Sequence, residues 1–184
     1  CNLISDNYNA QLYYDNNYTH FSKVSGDTIY ISGEHDNTTN GNFIRGVGNL
    51  ATGVNNNFTT SCWINRQENY KATICDYRGN SRRLEFAINN TSMYFAQREV
   101  NSPFDTNITS VSVTNSLNTW NCFTLSKNND LWSFYKDGIL IDTNSFSMTE
   151  TILTGSYYTI GLAWTDDDYQ SNGMVGFVGP FLHY

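Results

Sequence analysis

Apolar and polar residues alternate along this chain in short runs, broken by turns rich in Gly, Asn and Asp. No window carries the 3.6-residue period of an amphipathic helix, whereas two-residue alternation recurs from end to end. The pattern predicts strands over residues 11–14, 28–32, 42–47, 58–65, 71–77, 82–88, 92–97, 109–114, 120–127, 131–136, 139–142, 157–162 and 175–184. Turn signals separate them at Ser25-Gly26-Asp27, Arg78-Gly79-Asn80, Asn89-Asn90, Asn128-Asn129-Asp130 and Asp137-Gly138. The last is the strongest, because a type I′ hairpin needs positive φ at both central residues and Asp-Gly tolerates it. Regular short strands with polar turns predict an all-β, two-sheet antiparallel sandwich or a barrel.

Composition supports that class. Aromatic residues make up 15% of the 184, which suits a pleated, half-buried surface, while strong helix formers are scarce. The length is that of one domain over residues 1–184, with no repeat or linker. Its opening at Cys1 predicts a fragment of a longer protein.

Charge narrows the partners. Ten basic residues against 17 acidic ones, net −7, argue against nucleic acid and against an anionic membrane surface. No apolar run approaches the roughly 20 residues of a membrane helix, so membrane insertion is not expected. Asn and Thr are abundant and only four lysines occur, a surface that suits an exposed attachment domain of a virus or parasite. Six N-x-S/T sequons, at Asn17, Asn37, Asn57, Asn89, Asn90 and Asn107, fit either secretion or the chance yield of this composition.

The four cysteines form no C-x-x-C pair, which gives a zinc site little support. Folding the segment around Arg66–Tyr70 into a hairpin would set Cys62 almost opposite Cys75. A cross-strand disulfide and two buried free thiols both fit that expectation.

Four segments, taken in order, resemble laminin-G-like domains of the concanavalin A-like superfamily. Phe58-Thr59-Thr60-Ser61-Cys62-Trp63-Ile64 is similar to an F-T-i-s-f-W-v strand, and Thr119-Trp120-Asn121-Cys122-Phe123-Thr124-Leu125 to a W-x-h-v-a-v strand. Trp132-Ser133-Phe134-Tyr135-Lys136-Asp137-Gly138 resembles the l-Y-v-D-G hairpin. Tyr158-Thr159-Ile160-Gly161 and Gly173-Met174-Val175-Gly176-Phe177 resemble the closing pair. The resemblance runs from about residue 40 onward and implies a jelly roll of two curved sheets, galectin-like in build. Its members include lectins, adhesion modules, glycanases and the heads of viral spikes, among them those of some rotaviruses, so fold alone does not fix function.

Glycanases of this fold act through paired carboxylates, commonly E-x-D-x-E on one strand. Glu34, Glu68, Glu99 and Glu150 stand alone, and Glu85 has no carboxylate at two-residue spacing. His20, His35 and His183 are far apart, and no G-x-S-x-G segment supports a triad. No enzyme is expected, and no catalytic residue is assigned.

Binding chemistry concentrates in the segment from Trp164 to Gly173, where Asp166, Asp167, Asp168, Tyr169 and Asn172 combine carboxylates, an amide and rings. Carboxylates and amides hydrogen-bond sugar hydroxyls, and an aromatic face covers the apolar side of a pyranose. The same Asp166, Asp167 and Asp168 offer hard oxygens to calcium, and a solvated acidic loop fits as well. Arg78, with Arg82 and Arg83, forms a basic patch able to hold a sugar carboxylate or to pair with surface acids. Trp63, Trp120 and Trp132 all read as core residues inside strands with apolar neighbours, and Trp132, the best placed of the three for exposure, is the candidate ligand contact among them.

These expectations converge on a receptor-binding domain that recognises a cell-surface glycan or glycoprotein without a cofactor. It would be displayed in several copies at a virion surface or elsewhere outside cells. The alternative is a laminin-G-like extracellular adhesion module that binds a protein partner through a rim calcium.

Overall fold

The computed structural model describes residues 10–14, 17–20, 29–32, 43–47, 57–78, 82–99, 105–147, 157–161, 163–164, 170–171 and 173–183, and every statement below concerns these. Sixteen strands follow in order. They are β1 (Ala10–Tyr14), β2 (Asn17–His20), β3 (Ile29–Ser32), β4 (Phe43–Val47), β5 (Phe58–Arg66), β6 (Ala72–Arg78), β7 (Arg82–Ile88) and β8 (Ser92–Glu99). Then come β9 (Asp105–Ser112), β10 (Trp120–Asn128), β11 (Leu131–Lys136), β12 (Ile139–Ser145), β13 (Tyr157–Ile160), β14 (Ala163–Trp164), β15 (Gln170–Ser171) and β16 (Val175–His183). All pairings are antiparallel.

One sheet runs β2-β1-β4-β13-β6-β7-β8-β9, the other β12-β11-β10-β5-β16-β3, and β14–β15 form a small ribbon of their own. Every strand expected from the alternation has a counterpart here, while β2, β14 and β15 carry no such pattern. The Asp137-Gly138 turn has φ of 53° and 79°, as a type I′ hairpin requires.

Two-residue alternation decides what each strand buries. Along β5, Phe58, Thr60, Cys62 and Ile64 point inward, whereas Thr59, Ser61, Trp63 and Asn65 point out. In β10, Phe123 and Leu125 do the same, and Leu84, Phe86, Ile88, Met93 and Phe95 supply the facing layer from β7 and β8. Trp132 sits among them at 0% exposure. Its ring lies 4.4 Å from that of Phe95 and 5.9 Å from that of Phe58, and Nε1 donates to the Phe146 carbonyl at 2.7 Å. Burying a ring system of this size is worth about 5 kcal/mol before entropic losses.

Trp132 is therefore a core anchor and not a ligand contact. The expectation of exposure fails because Trp132 and Phe134 share one face of β11, and that face is the one packed inward.

Of the two cysteine alternatives the buried free thiols hold, while the hairpin that would have paired the cysteines does not. The segment after Arg66 does not fold β5 back on β6 but carries the chain from one sheet to the other. The Arg66 guanidinium donates to the Tyr70 carbonyl at 2.8 Å and to Asn90 Oδ1 at 3.0 Å, and Gln67 N donates to the Val175 carbonyl at 2.8 Å. Cys62 and Cys75 consequently lie in facing sheets, both buried and both free. Burial pushes each thiol well above its ordinary range.

Candidate functional site

The outward face of the six-stranded sheet is open. Trp63 on β5 and Trp120 on β10 are 43% and 37% exposed, although both lie inside strands. Register sets Trp63 opposite Cys122, and Asn65 lies between Trp120 on one side and Phe177 on the other. The rings of Trp120 and Phe177 are 6.5 Å apart.

Local backbone makes this cluster fit. Pairing of β16 with β5 shifts register between Val178 and Phe181, and Gly179 falls inside that irregularity. A Cβ on Gly179 would lie 3.0 Å from the Trp63 Cβ and 3.4 Å from the Trp120 ring. Glycine thus lets both indoles settle beside the strand.

Further along the same face the aromatic rings give way to hydroxyls. Ser61 Oγ and Thr124 Oγ1 are 2.8 Å apart, and Thr59 Oγ1 and Ser126 Oγ are 3.0 Å apart. Ser126 in turn stands opposite Ser133 on β11. Each hydroxyl pair uses one proton internally, Ser61 Oγ also lies 3.2 Å from Cys122 Sγ, and the remaining lone pairs can accept from an incoming group. Rings followed by hydroxyl pairs along about 20 Å of strand (Asn65 to Thr59) form a platform for a polyhydroxylated ligand with apolar faces.

The hairpin tip beside this face is rigid. The Asp137 carboxylate accepts from Cys122 N at 2.7 Å and from Asn121 Nδ2 at 3.0 Å, while Asp137 N donates to the Cys122 carbonyl at 2.8 Å. Next to the turn, Ile139 and Leu140 are exposed, and Leu140 stands opposite Tyr135.

The eight-stranded sheet carries a different chemistry. Asp76 of β6 lies directly opposite Glu85 of β7, and both are buried. Glu85 accepts from Thr73 Oγ1 at 2.7 Å and forms an ion pair with Lys71 Nζ at 3.0 Å, and that ammonium lies 5.0 Å from the centre of the Tyr94 ring. A search along single strands misses this carboxylate pair because its members face each other across a hairpin. The signal was the Arg78-Gly79-Asn80 turn, since folding the chain there sets Arg78 against Arg83 and, two residues on, Asp76 against Glu85.

Of the residues expected to bind ligand, Trp132 lies in the core and Arg78 in the other sheet. Arg78 closes β6, between Arg83 and Tyr157, in the eight-stranded sheet, and its side chain lies outside the described residues. Trp164 pairs with Gln170 in the β14–β15 ribbon, which packs beside β6 and β13. Its side chain, together with Asp166, Asp167, Asp168, Tyr169 and Asn172, lies outside the described residues. Among the described residues no cluster of His, Cys, Asp and Glu is arranged to hold a metal ion.

Searched by sequence, the chain matches no family model and no curated protein. In shape it is similar to several solved structures. The Ruminococcus gnavus IT-sialidase CBM40 bound to α2,3-sialyllactose superposes with a TM-score of 0.57 at 13% identity, covering 70% of this chain and 76% of that one. The binding domain of botulinum neurotoxin serotype D gives 0.58 at 14%, covering 96% and 47%. An SAP-like pentraxin from Limulus polyphemus gives 0.53 at 11%, covering 69% and 63%.

The fold is a two-sheet antiparallel jelly roll. The chain spans about half the length of the toxin domain and about three quarters of the bacterial module. At these identities the likeness concerns architecture, and the binding face has to be argued from this chain's own residues.

Proposed function

We propose that this chain is a recognition domain that binds glycans on a cell surface through the open face of its six-stranded sheet, without turning them over. The observation that carries the reading is the pair of exposed tryptophans, Trp63 and Trp120, set beside a run of paired Ser and Thr hydroxyls. Indole faces cover the apolar side of a pyranose ring, and hydroxyl pairs both donate to and accept from its OH groups. The solved neighbours support it, since one holds sialyllactose and others are receptor-binding domains.

Binding without catalysis fits the carboxylates. Asp76 and Glu85 are the described pair closest to a glycosidase arrangement, yet both are shut off from solvent and Glu85 is tied to Lys71 and Thr73. Display outside the cell, at the head of an attachment protein such as a viral spike, belongs to the same reading and rests on the Asn- and Thr-rich, lysine-poor surface. Several copies on one particle would multiply a weak single-site affinity.

The test is a glycan array probed with the purified domain and with Trp63→Ala, Trp120→Ala, Trp164→Ala and Asp167→Ala, each verified by circular dichroism and run with and without calcium. Binding to related glycans that disappears in the first two variants is the expected result. Loss confined to Trp164→Ala or Asp167→Ala would move the site to the β14–β15 ribbon, and a calcium requirement would favour the adhesion-module alternative. A concentration-dependent dimer broken by Trp63→Ala, with no glycan bound, would show that a second copy covers this face and would sink the proposal.

A further inference from the structure

The platform is also notable for the charges it lacks. Its outward positions on the four central strands are Thr59, Ser61, Trp63 and Asn65, Trp120, Cys122, Thr124 and Ser126, Leu131, Ser133 and Tyr135, and Phe177 and Leu182. None of these is an Asp, Glu, His, Lys or Arg, in a chain whose net charge is −7.

The cations of these strands are turned elsewhere. Arg66 is buried against the Tyr70 carbonyl and Asn90. Lys127 is buried with Nζ 5.9 Å from the centre of the Trp132 ring, and desolvation lowers its pKa despite the opposing effect of Asp130. Lys136 Nζ donates to the Thr114 carbonyl at 2.7 Å. At the turns that join β10 to β11 and β11 to β12, Asp130 and Asp137 are exposed, while Asp142 lies opposite Phe134 on the side turned toward the other sheet.

An anionic sugar laid on this surface would give up water without gaining a charged partner and would meet carboxylates of its own sign. A neutral sugar meets neither cost. We infer that the ligand of the tryptophan face is an uncharged oligosaccharide, its pyranose faces over Trp63 and Trp120 and its hydroxyls on the Ser61–Thr124 and Thr59–Ser126 pairs. Carboxylated and sulfated glycans are excluded from the face. This inference rests on the glycan-binding reading above and assigns the site a charge selectivity opposite to that expected of the Arg78 patch.

The experiment compares one sialylated glycoprotein with its sialidase-treated form, and neutral oligosaccharides with their sulfated counterparts, at low and high salt. Neutral and desialylated ligands should bind at least as well as their acidic parents, with no more than a small change between the two salt concentrations. Trp63→Ala and Trp120→Ala should each weaken neutral-ligand binding by about tenfold, and Trp63→Phe should retain most of it. Binding that requires sialic acid or sulfate overturns the inference and leaves the glycan reading intact. Neutral-glycan binding that survives the double alanine variant overturns the inference and moves the glycan site off the tryptophan face. Failure to bind any glycan, charged or neutral, removes the reading on which the inference stands.

Discussion

His183, near the end of β16, joins the two sheets through a short chain of hydrogen bonds. Tyr77 Oη and Thr60 Oγ1 are 2.6 Å apart, Thr60 Oγ1 is 2.7 Å from His183 Nδ1, and the imidazole stacks on Phe58 with centroids 5.3 Å apart. A neutral ring accepts the Thr60 proton at Nδ1 while Thr60 accepts from Tyr77, so all three groups are satisfied. Burial holds the imidazole down at about 4. The unfolded chain, with an ordinary value near 6.5, then takes up more protons than the folded one between those two limits. Stability is therefore full above about pH 6.5 and falls as pH drops toward 4, by up to about 3 kcal/mol. His183→Gln should flatten this slope: the urea midpoint of the wild type falls further between pH 7 and pH 4.5 than that of the variant. Parallel pH profiles would rule out this role for His183.

Among the strands, β16 carries two glycines with different duties. Gly176 has φ of 147°, and a Cβ there would run into the Asn65 carbonyl oxygen, part of the backbone of β5. Gly179 instead stands against the side chains of Trp63 and Trp120. Gly176→Ala should thus cost several kcal/mol of stability, whereas Gly179→Ala should cost less and displace the indoles, weakening ligand binding. Thermal melts and a binding assay on both variants separate the two effects, and equal melting losses would contradict it. Much at this scale was legible in the sequence. The Asp137-Gly138 hairpin could be read from turn chemistry, and even the orientation of the tryptophans was encoded in strand parity. Trp63 shares its face with Thr59, Ser61 and Asn65, and Trp120 with Cys122, Thr124 and Ser126, while Trp132 shares its face with Phe134. Counting same-face neighbours gives the correct assignment, whereas counting sequence neighbours inverts it.

At the scale of the whole molecule, the pairing of distant strands was not legible. β5 lies between β10 and β16, more than 50 residues away in sequence, and β13 inserts between β4 and β6. Local patterns do not specify such neighbours, because any strand with one apolar face satisfies its alternation equally well against many partners. For the same reason the hairpin expected between β5 and β6 did not form, and the two cysteines ended on opposite sides of the core. Unfolding the protein without reductant and alkylating it should label both Cys62 and Cys75 in full. Blocked Cys62 or Cys75 that becomes reactive only after reduction would contradict the free state of these two thiols.

The arrangement of the three tryptophans whose side chains are described has an optical consequence. Trp63 and Trp120 reach water from the sheet surface and Trp132 lies in a dry core, so their emission should separate into a red-shifted, quenchable fraction and a blue-shifted one that iodide cannot reach. A ligand seated on the open face would shield only the first fraction. The chain then carries an internal fluorescent gauge of occupancy, with Trp132 as its built-in reference and no dye attached.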